Sequence, residues 1–239
     1  MLLYNLLEVK TYDNKKRYGV TKDGGYVCGI IDNYKYDCYI SCGIEKEESF
    51  TRDFLKEHNY LQKKDCYGFD GTIDNYPYEY TQNIQFIKKN INKYNDDYNT
   101  NMKDVIGNYN NIFLKMDIEG GEYDWLSTIS KEELNKFTQI VIEFHGIDDS
   151  SSWGHDFDEK MSCLQKINQT HFIIHAHGNN HAPLYNNIPT VIELTFINKN
   201  LFLNKPSNNK IPLPIDNLDY PNHINIPDYN LNFYPFVDK

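Results

Sequence analysis

Short apolar runs punctuate the chain at Cys38–Cys42, Cys66–Phe69, Ile84–Ile87, Ile112–Met116, Gln139–Phe144, His171–Ala176 and Thr190–Ile197. Their length and their β-branched or aromatic content predict strands. Between them the apolar period lengthens to that of a helix: Phe50, Phe54, Leu55 and His58 share one face, as do Phe157, Met161, Leu164 and Ile167. Ser130 followed by Glu133 is a capping-box pattern that opens a short helix through Leu134 and Phe137, just ahead of the strand at Gln139. Alternating strands and helices predict an α/β fold with a mainly parallel sheet and helices on both faces. From Lys205 onward the pattern changes. Pro206, Pro212, Pro214, Pro221, Pro227 and Pro235, mixed with Leu, Ile, Tyr and Phe, forbid long helices and suit an extended segment strapped over the domain. One domain spans residues 1–239, divided into an N-terminal cover (1–36), an α/β core (37–200) and the extended tail (201–239).

Composition narrows the class. The chain carries 24 Lys and Arg against 34 Asp and Glu, a formal charge of −10. That balance argues against a surface built to neutralise nucleic-acid phosphates or anionic lipid. No stretch approaches the roughly 20 apolar residues of a membrane span. The start, MLLYNLLEVK, lacks the parts of a signal peptide, so a cytoplasmic protein is expected. Cys28, Cys38, Cys42, Cys66 and Cys163 form no CxxC pair and read as reduced core residues rather than a disulfide frame or zinc site. The scarcity of Ala and the excess of Asn, Lys, Ile and Tyr are what an AT-rich genome writes. The Asn-rich run from Asn90 to Asn111 reads as a solvated helix and loops.

In an open parallel sheet, ligands bind beyond the carboxyl ends of the strands, near the point where strand order reverses. After the first strand comes Ser41-Cys42-Gly43-Ile44-Glu45, where Gly43 permits a tight turn and a close backbone approach to a ligand. This loop is not the GxGxxG cradle that a pyrophosphate cofactor wants. After the second strand stands Asp70, placed as a ribose-binding carboxylate would be, or as a plain turn residue before Gly71. The sharpest feature is Leu114 to Glu122, an apolar strand ending in Asp117, Glu119, a glycine pair and Glu122. Strand alternation would aim Asp117 and Glu119 the same way. Glu122 reads as a helix cap, and Asp117 as facing the ligand.

The segment Asp117 to Glu122 resembles the DxEGxE-type motif of the FkbM-type methyltransferases. The resemblance continues through Asp23-Gly24-Gly25-Tyr26, Ser41-Cys42-Gly43, Phe69-Asp70, Ile142-Glu143-Phe144-His145 and His175 to Asn180. It implies a Rossmann-like class I methyltransferase fold with a seven-stranded sheet. It also implies S-adenosylmethionine as cofactor and O-methylation of a sugar, glycan or related polar metabolite. The first loop departs from the class by lacking its second glycine. On this reading Asp70 takes the cofactor ribose, Asp117 its ammonium, and N–H groups around Cys42 and Gly43 its carboxylate. Asp23, Gly24, Gly25 and Tyr26 either fold over the methionine end, with an aromatic face toward the sulfonium, or form a simple turn.

The acceptor's proton needs a base, and His145 and His177, at the ends of the fifth and sixth strands, are candidates beside Asp117 and Glu119. Asp117, Glu143 and His145 could instead hold a divalent metal, though buried polar residues satisfying one another is the commoner outcome. His175 packs below His177, Asn179 and Asn180 bond an acceptor or form a turn, and Lys115 is expected to pair with an acid. A nucleotide-dependent sugar reductase or epimerase and a catalytically silent binding module are the alternatives. A small-molecule or glycan acceptor, no nucleic acid, no membrane and a homodimer are the partners expected.

Overall fold

The computed structural model describes residues 2–80, 83–148 and 152–238. The N-terminal part holds α1 (Leu2–Leu6) and the antiparallel hairpin of β1 (Lys15–Tyr18) and β2 (Tyr26–Gly29). The first half of the core follows with β3 (Cys38–Cys42), α2 (Ser49–Glu57), β4 (Cys66–Phe69), β5 (Gln85–Ile87), β6 (Asn90–Ile91), β7 (Asn99–Thr100) and α3 (Lys103–Ile106). The second half contains β8 (Ile112–Met116), α4 (Glu122–Thr128), α5 (Lys131–Leu134), β9 (Phe137–His145) and α6 (Phe157–Thr170). It closes with β10 (His171–Gly178), the short pair β11 (Leu184–Tyr185) and β12 (Ile188–Pro189), and β13 (Val191–Asn198). No helix among the described residues is long and apolar enough to cross a membrane.

Seven strands form one sheet in the order β10-β13-β9-β8-β3-β4-β5. β13 runs antiparallel to both its neighbours, and the other pairings are parallel. The chain winds outward from β3 to β5 and then returns to wind the other way from β8. The reversal therefore falls between β3 and β8. The expected runs at Cys38–Cys42, Cys66–Phe69 and Ile112–Met116 are strands with those bounds, and the other four lie within two residues of theirs.

Strand parity sends alternate residues to two cores. Cys38, Ile40, Cys42, Ile112, Leu114, Met116, Ile140, Ile142 and Phe144 pack with residues of α1, α4 and α6. Tyr39, Phe113 and Val141 face the other way, toward Phe50 and Phe54 of α2 and Tyr18, Tyr26 and Cys28 of the hairpin. β9 is buried along its whole length, as a strand covered on both faces must be. α6 begins at a capping box of Asp156 and Glu159 and buries Met161, Leu164 and Ile167, each worth about 1.5–3 kcal/mol. The Ser130–Glu133 capping box is formed as expected. The Asn90–Asn111 run is mostly loop, with β6, β7 and the four-residue α3 rather than a longer surface helix. All five cysteines are free and buried.

The tail forms no helix or strand from residue 202 to 238. It is nevertheless part of the fold: Leu213, Leu231, Phe236 and Val237 enter the larger core. The Asn209 side chain, fully buried, bonds the Ile211 and Phe236 carbonyls and ties the strap to itself.

Candidate functional site

The loops leaving β3 and β8 are pinned together. Gly43 takes φ +77°, and a Cβ there would lie 1.5 Å from the Asp117 carbonyl oxygen. The Asp117 N–H donates to the Cys42 carbonyl at 3.0 Å. Glycine is thus required at 43 by the neighbouring strand's backbone, a second reason beside the ligand approach that the sequence suggested. The Gly43 N–H, expected to meet a cofactor carboxylate, donates instead to the Phe69 carbonyl at 3.0 Å. Cys42 contributes only backbone to this junction. Its thiol faces the core beside Met102 and is held above its ordinary pKa by burial.

At the junction opens a cleft of about 480 Å³, walled by the loops after β3, β4 and β8 and floored by Lys115. It occupies the place where open α/β sheets bind ligands. Six acids line it: Asp23, Glu45, Glu47, Asp70, Asp117 and Glu119. Lys115 is buried; its ammonium donates to the Gly43 carbonyl at 2.8 Å and stands 5.5 Å from the Tyr26 ring centre. Among the described residues, the ion pair expected for Lys115 is not formed. Its charge reaches the buried Glu48, opposing the upward push that burial gives that carboxyl.

Asp70 lines the cleft but is heavily engaged. Its Oδ2 accepts the N–H groups of Ile44 and Glu45, both at 2.9 Å, and its Oδ1 accepts the Thr72 N–H and hydroxyl at 2.7 and 2.6 Å. These bonds outweigh burial and hold its carboxyl below the ordinary range. A carboxylate offers about four lone-pair directions, and all four are used within the fold. Asp70 therefore fastens the loop after β4 to the loop after β3, the work of a turn residue extended across two strands.

The Asp23-Gly24-Gly25-Tyr26 segment forms a turn, with the Gly25 N–H donating to the Lys22 carbonyl at 3.3 Å. Asp23 and Gly24 reach the cleft. Gly25 packs against Val20 and the Arg17 guanidinium, where a Cβ would meet them at 2.1 and 2.6 Å. Tyr26 begins β2 and is buried beneath the cleft. Its hydroxyl donates to Asp117 Oδ2 at 2.9 Å and lies 3.4 Å from Glu143 Oε2. The ring face expected to meet a sulfonium has the Lys115 ammonium beside it instead.

Beyond Tyr26 a row of titratable groups crosses four adjacent strands at their ends. Met116 pairs with Ile142, which sets Asp117 beside Glu143; Glu143 pairs with Glu193, and Glu193 with His177. Burial, then the charges of Asp117 and Glu193, push the Glu143 carboxyl well above its ordinary value. Asn179 donates to Glu143 Oε1 at 2.8 Å. His145, two residues beyond Glu143, directs Nδ1 at Glu122 Oε1 (3.2 Å) and Nε2 at Glu119 Oε2 (3.3 Å) and Asp117 Oδ1 (3.9 Å). Burial lowers its pKa, but Glu122, Asp117 and Glu119 together raise it above the ordinary value.

Strand alternation does not account for Asp117 and Glu119 acting together. Glu119 lies past the strand end in the left-handed region, φ +54°, and the turn brings it to His145. Glu122 is the first residue of α4 and fully buried, and it accepts the N–H groups of Ile118 and Gly120. It shapes the acidic loop rather than capping the helix from outside.

A groove of about 410 Å³ shares Glu119 with the cleft and is lined also by His145, Trp153, Asn179 and Pro183. The Trp153 ring, half exposed, lies over Gly120, where a Cβ would meet it at 2.9 Å. Its centre is 5.0 Å from that of His145.

His177 belongs to neither opening. It is buried between Glu193 (3.2 Å) and Asp228 (2.9 Å), and these acids overcome burial to raise its pKa well above 6.5. His175 is buried with Nε2 2.8 Å from Asp219, and burial holds it below its ordinary value. The candidate base at 177 is thus bonded to the tail, whereas His145 and Glu119 line the groove. Asn180 also holds the tail, bonding the His223 and Ile226 carbonyls.

Sequence reading missed Glu193 and the tail residues Asp219, Asn222 and Asp228, which complete this network. Asn222 donates to Glu193 at 2.8 Å and to Asp23 at 3.3 Å. Strand alternation offers a signal for Glu193, an acid inside an apolar run; the tail residues offer none. No protein-family model, no curated protein and no solved structure matches the chain.

Proposed function

We propose that this protein is an S-adenosylmethionine-dependent O-methyltransferase acting on a hydroxyl of a sugar, glycan or related polar metabolite. The observation that carries the reading is the charge of the switch-point cleft: six carboxylates against two lysines, Lys89 and the buried Lys115. A pyrophosphate would meet those acids and find the N–H groups of Gly43, Ile44 and Glu45 already bonded. A ligand with a sulfonium, an ammonium and one carboxylate complements the same surface. Asp117 and its neighbours suit the positive groups, and Lys115 suits the carboxylate. Asp70 shapes the loops that receive the ribose.

The acceptor enters by the adjoining groove, with Trp153 as an apolar platform for a sugar face. Acceptor and donor meet near Glu119, which lines both openings. The acceptor oxygen attacks the methyl carbon as the carbon–sulfur bond breaks, and the bonding pair stays on sulfur to leave a neutral thioether. The hydroxyl proton passes to His145 or Glu119. The protein's contribution is alignment and proton removal.

Calorimetric titration of the cofactor-stripped protein tests the reading. S-adenosylmethionine should bind in the micromolar range and NADPH should not, and Lys115→Met should weaken the former about tenfold or more while the protein stays folded. Binding of NADPH alone, or of neither compound, sinks the proposal.

A further inference from the structure

Asp117, Glu143 and His145 each offer one ligand atom, and these atoms lie within 4.8 Å of one another. They belong to one sheet end: Asp117 follows β8, and Glu143 and His145 share a face of β9 two residues apart. We propose that this triad is a binding site for a divalent cation of the Mg²⁺/Mn²⁺ class, set at the junction of the cleft and the groove. The use of that cation, though not its binding, rests on the methyl-transfer reading above.

Distance permits it. Donors around one ion at bond lengths of about 2.1 Å stand about 3.0 Å apart when adjacent and about 4.2 Å apart when opposite, so the three side chains would draw together by up to about 2 Å, within the reach of side-chain rotation. Two carboxylate oxygens and one imidazole nitrogen form a mixed set suited to Mn²⁺, with Mg²⁺ as the harder alternative.

Each of the three is also held from behind, as metal ligands are. Tyr26 donates to Asp117, Asn179 donates to Glu143, and His145 turns Nδ1 to the fully buried Glu122. The last contact is the most telling. In the neutral tautomer that gives Nδ1–H to Glu122, the Nε2 lone pair faces carboxylate oxygens at 3.3 and 3.9 Å. A lone pair against carboxylates is repulsive unless a positive centre stands between them, either a proton or a metal ion. The charge balance makes the same demand. Among the described residues, no ion pair joins a lysine or arginine to Asp117, Glu119 or Glu143; His145 faces the first two, and His177 meets Glu193. Buried carboxylates persist when they are paired, protonated or bound to metal.

Such a cation would bind and orient the acceptor hydroxyl beside the donor and lower the cost of removing its proton. Glu119, outside the triad at the mouth shared by both openings, is then left free to receive that proton.

The test uses Mn²⁺ as probe on the full chain freed of metals by chelator, without cofactor. Electron paramagnetic resonance should show loss of the free-ion signal to one Mn²⁺ per chain, and Mn²⁺ should raise the unfolding temperature. Glu143→Gln and His145→Ala should each weaken uptake at least tenfold. In chelator, Glu143→Gln should unfold no earlier than the wild type, because it removes a crowded buried acid; this separates a lost ligand from a lost fold. No uptake by the wild type at millimolar Mn²⁺, or uptake by both variants as tight as the wild type's, overturns the proposal and leaves a proton on His145 as the positive centre. Since S-adenosylmethionine is absent, the outcome is independent of the cofactor titration: metal without cofactor binding refutes methyl transfer alone, and the reverse refutes the cation alone.

Discussion

Gly43→Ala probes the contact on which the whole site depends. A Cβ built there stands 1.5 Å from the Asp117 carbonyl oxygen, and real Cβ contacts under 3.0 Å essentially do not occur. The Asp117 loop must therefore retreat by at least as much again, which breaks the 3.0 Å bond from the Asp117 N–H to Cys42. Three costs combine. A non-glycine residue at φ +77° loses about 1–2 kcal/mol, the broken bond about 0.5–1.5, and the displaced packing about 1–3. The expected loss is about 3–6 kcal/mol, and at about 2–4 °C per kcal/mol for a chain of this size the unfolding temperature should fall by about 6–24 °C. Urea denaturation followed by circular dichroism measures it, with Gly107→Ala as control. Gly107 has φ −56°, and its Cβ would meet the Lys103 carbonyl at 3.2 Å and the Asp104 carbonyl at 3.8 Å, so that variant should stay within about 1 kcal/mol of wild type. A loss below about 1 kcal/mol for Gly43→Ala would refute the pinched junction. The folded fraction should also bind S-adenosylmethionine more weakly, because Asp117 leaves its place beside Tyr26 and Glu143.

Two further outcomes follow from the same geometry. His177 has a folded pKa raised above its unfolded value, so its stabilising contribution is fully present below pH 6.5 and is lost as pH rises through the folded pKa. Thermal unfolding measured from pH 6 to 9 should decline with pH more steeply in wild type than in His177→Gln, and parallel curves would show that Glu193 and Asp228 do not hold an imidazolium. Trp153→Ala should raise KM for a sugar acceptor about 2–10-fold, the loss of one stacking contact of about 0.5–1.5 kcal/mol, with S-adenosylmethionine affinity unchanged. A fall in cofactor affinity instead would remove Trp153 from the acceptor side.

The sheet was legible because its strands are either wholly apolar or bounded by turn residues. Cys38–Cys42 and Ile112–Met116 are buried on every residue and read as strands without reference to partners. β9 extends past its apolar run at both ends, through Thr138 and His145, since burial on both faces comes from neighbours that the local sequence does not name. The site was legible only where strand ends carry it. Asp117, Glu143 and His145 follow from strand placement alone, and the structure brings them together. The roles of Gly43 and Asp70 were not legible, because each is decided by a loop on another strand: the Asp117 carbonyl for one, the Ile44 and Glu45 N–H groups for the other. His177 was misplaced for a similar reason. Its partner Asp228 lies 51 residues on, in a tail with no periodicity to predict where it docks.

The row from Asp117 through Glu143 and Glu193 to His177 also decides how the last strands of the sheet can be threaded. β13 lies between β9 and β10, and an antiparallel ladder can in principle close in more than one alignment. A shift by one residue would turn Glu193 toward Leu164 and Ile167 side of the sheet and lift Leu194, now wholly buried, out of it. An unpaired acid in that core costs several kcal/mol, far more than any gain from an alternative ladder. Two acids facing each other at Glu143 and Glu193 do not favour the correct alignment locally, yet a shifted alignment would set one of them unpaired in the core. The same polar groups that furnish the site thus act as a key for strand insertion, and substituting Glu193 by an apolar residue would trade a well-defined register for a more permissive one.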